Sequence, residues 1–354
     1  MRRSWLIIII VLLLPLHILM ATGEDFSTIT RFSDLRSVAM GSTGVALTDL
    51  QGAFYRNPAA LYKWEFPVFH LGARFGENMG VATVAGDPIP WVQHPSTTLE
   101  MLFSNRYIAL AIGLASVLEE RTLSGSELEF IAYNDSRIQL TLAYGWPSIS
   151  VGFYARGGNR FERDVTIREG HAIRDYITRT HLERYNRTSA DGQIFTTGLG
   201  LLLSYQWVSI GLVTNSLFNF DYTTNELVLD IVDLFNSSTV GLAFSSPIYN
   251  ENNELNRVVI NSAIDLTDLG DTNNRSVRLG LEGKVQFLSN FWVALRAGYR
   301  EKRPLDVSLF NLHGTGAITF GIGGQIRKVV LDISASIPLK TEDPAIHIGL
   351  RWTL

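Results

Sequence analysis

The chain has 354 residues, a formal net charge of −4 at neutral pH and no cysteine. The acidic balance argues against a nucleic-acid partner, which would need a basic surface, and the missing cysteine excludes disulfides, a thiol nucleophile and a lipid-bearing cysteine. Charged residues make up 18%, below the roughly 25% of an ordinary soluble protein.

In chain order, Arg2 and Arg3 precede an almost wholly apolar run, Trp5 to Met20, and then Ala21-Thr22-Gly23. Basic, apolar and small-residue segments in that order read as a secretory signal peptide over 1–23, with cleavage after Gly23. The alternative is an anchoring helix, but the run is short against the roughly 20 residues a span needs, and Pro15 interrupts it. No later stretch reads as a transmembrane helix. The expectation is an exported protein, and one without disulfides can draw stability from a closed barrel, which pairs every strand edge.

Residues 24–65 do not alternate like strands. They carry Arg36-Ser37-Val38-Ala39-Met40-Gly41, then Gly44-Val45-Ala46, Asp49 and finally Asn57-Pro58-Ala59-Ala60-Leu61. Gly41 and Gly44 permit close packing or positive φ. Pro58 fixes its own φ and pushes Asn57 out of the helical region, so that Asn57 can bond nearby backbone and hold a tight turn.

From about Phe66 onward the pattern has period two. In Arg275–Phe287, Val277, Leu279, Leu281, Val285 and Phe287 oppose Ser276, Arg278, Glu282, Lys284 and Gln286. Asn290–Arg300, Lys328–Ile337 and Ile346–Leu354 repeat it. Such alternation means strands with one apolar and one polar face. A soluble sandwich alternates too, but its strands run roughly 5–6 residues, whereas a membrane-spanning strand needs about 9–11, the length over which register holds here. Short connections at Gly145–Ser148, Tyr205–Gln206, Leu288–Asn290 and Gln325–Arg327 alternate with long polar loops near 157–193, 217–237 and 301–313. Short turns on one rim and long loops on the other are the asymmetry of a membrane barrel. The fold expected over 66–354 is all-β, a transmembrane antiparallel β-barrel of roughly 14 strands, with about 16 as the alternative count. Within the second long loop, Asn225–Phe235 spaces Leu227, Val228, Ile231, Leu234 and Phe235 like a short amphipathic helix.

The order of pieces in 24–65, between a signal peptide and a barrel, resembles the start of the outer-membrane long-chain fatty acid transport proteins, the FadL family, and of related porin-like proteins. The specific resemblance covers about 40 residues; the remainder matches in type. It implies an N-terminal hatch folded inside the lumen, with Asn57, Pro58, Ala59, Gly41 and Gly44 shaping it against the wall. One departure is the terminal Leu354, where many outer-membrane proteins carry an aromatic residue; Trp352 stands two residues back on the same face.

Catalytic templates are missing: no Gly-x-Ser-x-Gly, no His-Glu-x-x-His and no P-loop. His171 and His181 lack ligands at tight spacing for a metal site, and Asp265, Asp268 and Asp271 lack a calcium-loop pattern and read as a solvated acidic loop. Neither a metal nor a cofactor is expected. Arg74, Arg137, Arg257, Arg278, Arg296 and Arg351 face the lumen, where they either greet a carboxylate or pair with Glu282, Asp265 and Asp332. The expected function is passive transport of hydrophobic or amphipathic small molecules, such as long-chain fatty acids, across the outer membrane. The alternative is a non-transporting scaffold for secretion or surface attachment; a membrane-embedded enzyme is a third reading without a supporting motif. Partners expected are outer-membrane lipid, the hydrophobic ligand, the barrel-assembly machinery through the C-terminal strand, and other envelope proteins.

Overall fold

The computed structural model describes residues 34–48, 50–64, 67–78, 82–84, 87–89, 94–122, 128–167, 191–214, 217, 219–221, 226–228, 235–249, 257–270, 275–288, 290–301, 316–339 and 345–353. The signal-peptide expectation, the first part of the hatch segment, His171, His181, Asp271 and Leu354 lie outside these residues.

Fourteen strands form the wall: β1 (Val68–Asn78), β2 (His94–Ser104), β3 (Ile108–Thr122), β4 (Leu128–Gly145), β5 (Ile149–Ile167), β6 (Asp191–Tyr205), β7 (Val208–Thr214), β8 (Ser238–Tyr249), β9 (Arg257–Thr267), β10 (Ser276–Leu288), β11 (Phe291–Glu301), β12 (Gly316–Ile326), β13 (Val329–Pro338) and β14 (Ala345–Thr353). Each pairs antiparallel with its neighbours in sequence, and β1 pairs with β14 from His70↔Thr353 to Asn78↔Ala345. The ring is closed, so each strand has a partner on both sides over part of its length, which is what a strand structure in lipid requires.

Alternation sets the two faces. Leu71, Phe75, Leu99, Leu114, Leu281, Leu295, Ile322 and Leu350 are exposed on the outside, while Gln139, Asp265, Glu282, Arg296, Asp332 and Ser334 are buried on the inside. In water this would be an inverted protein; in a bilayer it is the stable arrangement. Tyr107, Tyr144, Trp146, Tyr205 and Trp207 stand exposed at the rim of short turns, where aromatic rings prefer the membrane–water interface. At that rim lie connections 105–107, 146–148, 206–207, 289–290 and 327–328, with 250–256 longer; the opposite rim carries 79–93, 123–127, 168–190, 215–237, 268–275, 302–315 and 339–344.

Two loop expectations need correction. The charged stretch expected as loop from Gly157 begins as strand: β5 runs to Ile167, paired with β4 throughout and with β6 from Ile149 to Phe161, and β6 starts at Asp191. At 19 residues, β5 is about 60 Å long at about 3.3 Å per residue, twice the roughly 30 Å hydrocarbon core. Its far half has no lipid to face, so backbone pairing continues without apolar alternation. The second correction concerns the first part of the helix expected over Asn225–Phe235; residues 229–234 lie outside the described residues, and Phe235 is helical. Glu226–Val228 is a strand paired with Asn219–Asp221, and Asn219 pairs with Thr196. Because β7 stops at Thr214 while β6 extends to Asp191, the upper part of β6 offers a backbone edge, and that pairing outweighs a weak local helical pattern.

Candidate functional site

Residues 34–64 pack on the inward-facing side chains of the wall. Asp34 caps α1 (Leu35–Ala39), accepting hydrogen bonds from the backbone N–H of Arg36 and Ser37 at 3.0 and 3.3 Å. A helix of five residues is too short to hold itself, so its stability comes from the wall beneath it. Gly41 then turns the chain with φ +68°, a left-handed conformation that disfavours a side chain. After α2 (Leu50–Tyr55), Asn57 caps a 3-10 helix over Pro58–Lys63, with Pro58 in its first turn. Proline suits that position because its missing N–H has no helical acceptor there.

The segment crosses the lumen. α1 rests on β11 to β14, and the 3-10 helix rests on β4 to β6, roughly opposite in the ring. Where it touches the wall, the inward positions are glycines. A β-carbon on Gly280 would meet Met40 and Thr43; on Gly298, Gly41; on Gly321, Ala39; on Gly349, Leu35; on Gly211 and Gly241, Val45; on Gly152 and Gly200, Asn57, Pro58 or Ala59. At Gly298, Gly211 and Gly152 backbone thus lies on backbone, and at Gly321, Gly349 and Gly200 a side chain of the segment fills the space a methyl group would need.

Polar wall groups then take up the segment's own backbone groups. Thr319 Oγ1 accepts from Gly41 N–H at 2.8 Å and donates to Ala39 C=O at 2.9 Å. Asp265 Oδ2 accepts from the N–H of Gly44 at 2.7 Å and of Val45 at 3.2 Å. Gln139 donates to Phe54 C=O at 2.9 Å, and Ser150 to Ala59 C=O at 2.9 Å. A buried backbone group without a partner is costly, so these bonds specify both depth and rotation of the segment. Asp265 is therefore buried inside the barrel rather than part of a solvated acidic loop.

One ion-pair chain ties segment to wall. Arg36 donates to Glu282 through Nε at 2.9 Å and Nη2 at 2.7 Å. Glu282 also accepts from Arg296 Nε and Asn261 Nδ2, each at 2.7 Å. Arg296 reaches Asp332 at 2.6 Å, and Arg351 reaches the other Asp332 oxygen at 2.7 Å. Of the arginines expected in the lumen, Arg296 and Arg351 take part in this chain. Arg278 donates to Ser42 C=O at 3.4 Å, Arg137 donates to Gln139, and Arg74 lies within electrostatic reach of Asp34 and Glu100. The side chain of Arg257 is outside the described residues. Arg56, on the segment itself, was not anticipated. Burial, with the nearby charge of Arg278, lowers its guanidinium to about 10 against the pull of Asp265, so it remains charged at neutral pH.

All five residues singled out in the N-terminal motif lie along this contact. Asn57 is fully buried; its amide donates to Val45 C=O at 2.8 Å and to Leu201 C=O of β6 at 3.0 Å, and its Oδ1 accepts from Ala59 N–H at 3.0 Å. An Asn57→Ala change leaves three buried partners short, at about 1–3 kcal/mol. Limited proteolysis is expected to cut residues 34–64 faster in that variant while the barrel keeps its heat-shifted gel migration; unchanged cleavage would contradict the role of the amide. The wall glycines, Thr319 and Gln139 were not anticipated. Period-two alternation marks them as inward-facing but does not mark which of them touch another segment.

The sequence matches no protein-family model and no curated protein. Solved structures do match. A structure titled "CymD monoaromatic hydrocarbon channel" is 12% identical, with 93% of this chain and 98% of that chain covered and a TM-score of 0.55. The Pseudomonas putida toluene transporter TodX is 12% identical over 94% of this chain and 98% of its own, with a TM-score of 0.50. A deltaS2 mutant of TodX gives a TM-score of 0.52 at 12% identity, over 90% and 97%. The chain has the FadL-type fold. A FadL-type barrel with this apolar exterior is an outer-membrane protein, and the strand number, given as about 14 from alternation, is fourteen.

Proposed function

We propose that this FadL-type barrel is a passive outer-membrane channel for hydrophobic or amphipathic small molecules such as long-chain fatty acids, with residues 24–65 as its hatch. The observation that carries the reading is a segment running between opposite arcs of the lumen, held by hydrogen bonds, ion pairs and close backbone contacts and by two small apolar clusters, Phe54 and Leu61 against Leu102 and Leu202, and Met40 and Leu47 against Ala243 and Ala263. Hydrogen bonds and ion pairs of this kind exchange readily for others when a ligand arrives, because each contributes little net free energy. The proteins of like fold are described as a toluene transporter and monoaromatic hydrocarbon channels, which supports an apolar cargo. No energy-coupling motif stands out in the N-terminal segment, so movement down a gradient is the mechanism. On the outside of β14, Ile348, Leu350 and Trp352 are exposed; there they meet lipid, and the assembly machinery would read the same strand.

The tall wall of β4 and β5 favours a second reading, a scaffold that presents surface beyond the membrane to other envelope proteins. One experiment separates the two. Liposomes carrying the full chain are expected to take up a fluorescent long-chain fatty acid saturably, and deletion of Glu24 to Leu61 to change both binding and rate. A folded barrel that neither binds nor passes the fatty acid would sink the channel reading and leave the scaffold.

A further inference from the structure

We infer that Lys63 and Arg106, set among Tyr62, Tyr107, Tyr144 and Trp146, form a site on the short-turn rim for the phosphate of an anionic phospholipid. The chain reaches that rim as it leaves the lumen. The 3-10 helix ends at Lys63, and Lys63 Nζ donates to Pro147 C=O in the turn between β4 and β5. In the neighbouring short turn, between β2 and β3, Asn105 Oδ1 accepts from the N–H of Tyr107 and of Ile108, each at 2.8 Å. That side-chain turn fixes the backbone around Arg106. Arg106 Nε donates to Tyr62 C=O at 3.2 Å, and its guanidinium carbon lies 4.1 Å from the centre of the Tyr62 ring. Two cations from separate parts of the chain are thus held near each other. Burial, and after it the charge of Arg106, lowers the Lys63 ammonium from its ordinary value. Their hydrogen bonds go to neutral carbonyl oxygens, and neither forms an ion pair among the described residues. Like charges without a counter-charge repel, and an anion between them relieves that repulsion. The terminal Nη groups of Arg106, the fork that suits a phosphate, stay available for it.

Position selects a lipid rather than a soluble anion. On β4, Thr141 and Ala143 are buried toward the lumen, while Leu142 and Tyr144 are exposed on the outside. Tyr144 is the last outward residue before the turn, so the apolar belt ends there. The Tyr62 ring centre stands 6.0 Å from that of Tyr107 and 6.3 Å from that of Tyr144, and Tyr144 stands 5.9 Å from Trp146. Tyr107, Tyr144 and Trp146 are exposed, and such rings sit where acyl chains give way to head groups. Lys63 and Arg106, beside these rings, therefore lie at the level of the phosphates. The leaflet is the periplasmic one, the side on which short turns lie. Charge selects within that leaflet. Phosphatidylglycerol brings a phosphate with no cation of its own, whereas the ammonium of a zwitterionic lipid is repelled by the pair. Because Lys63 closes the segment that crosses the lumen, a lipid bound here ties the end of that segment to the membrane. The site does not depend on what the barrel carries.

The test is native mass spectrometry of the full-length protein in nonionic detergent with equimolar phosphatidylglycerol and phosphatidylcholine of equal chain length. The first lipid retained is expected to be phosphatidylglycerol at least about fivefold more often, the factor one interfacial cation contributes toward an anionic lipid. The Lys63→Gln/Arg106→Gln double variant is expected to bring that ratio close to one, and Arg106→Gln alone to lower it in part. Arg327→Gln/Lys328→Gln is the control, because it removes two exposed cations from another turn of the same rim; it should keep the preference. Heat-shifted gel migration reports that each barrel is folded. Equal retention of the two lipids by the unaltered protein, or retention of neither, would overturn the site and leave the two cations facing the aqueous periplasm. A preference that survives in the folded Lys63→Gln/Arg106→Gln variant would also overturn it, because the phosphate would then bind elsewhere. Equal loss in that variant and in the control would overturn it too, since the charge of the whole rim would then account for the preference.

Discussion

Glu282→Ala barrels are expected to unfold at markedly lower denaturant concentration, by about 3–5 kcal/mol, the cost of removing one partner from a buried ion pair. Glu282 is 2% exposed and accepts four hydrogen bonds, two from Arg36 and one each from Arg296 and Asn261. Its removal takes two hydrogen bonds from Arg36 and leaves Arg296 with Asp332. The charges stay buried while their compensation goes, which is why loss of one member costs more than the pair was ever worth. Arg36→Met separates the two ends of this link. In that variant Glu282 keeps Arg296 and Asn261, so the barrel should lose less stability, yet residues 34–48 should become protease-sensitive in both. Equilibrium unfolding from vesicles and limited proteolysis provide the two readouts. Wild-type stability in Glu282→Ala would mean that the chain of ion pairs contributes nothing net.

Gly298→Leu should open the channel without dismantling the barrel. A β-carbon there would coincide with the Gly41 backbone, and backbone cannot give way as a flexible side-chain tip can. Overpacking of this kind costs about 1–3 kcal/mol, and the strain falls on the segment because the wall strand is pinned on both sides by β10 and β12. Conductance across a planar bilayer is expected to rise severalfold over the unaltered protein. Gly283→Ala is the control: it lies on the neighbouring strand, and its added methyl would meet nothing within 4 Å. It should leave conductance unchanged and stability within about 0.5 kcal/mol. Closed channels in Gly298→Leu, with a folded barrel, would show that the segment does not block the lumen.

Much of the wall was legible before any coordinates, and for a single reason. A strand between lipid and water must alternate, so Val277 to Phe287 and Ile346 to Leu354 announce both their conformation and their faces. Asn57 was legible through turn chemistry, because Asn before Pro has few roles for its amide other than bonding nearby backbone. The interior glycines were not. Glycine in a strand marks a bulge, a bend or a close approach, and nothing local tells Gly298, with Gly41 against it, from Gly323, an inward-facing glycine whose β-carbon would meet only Asp332 and Arg296 of the wall. Asp265 misled for a related reason: its neighbours Asp268 and Asp271 are close in sequence, while Gly44 and Val45, which it serves, are some 220 residues away in sequence.

The sequence by itself determined the alternating strands, their short turns at one rim, and a small, turn-rich segment ahead of them, since all of these depend on contacts within one or two residues or on the solvent each face meets. Tertiary structure decided the rest. It extended β5 into a charged stretch because β4 was there to pair with it, and turned Glu226–Val228 into strand because β6 outlasts β7. It also brought Arg36 to Glu282, and Arg106 over the ring of Tyr62. Those outcomes depend on which backbone edges and which buried charges meet across the closed ring, and closure joins residues whose separation along the chain carries no local signal.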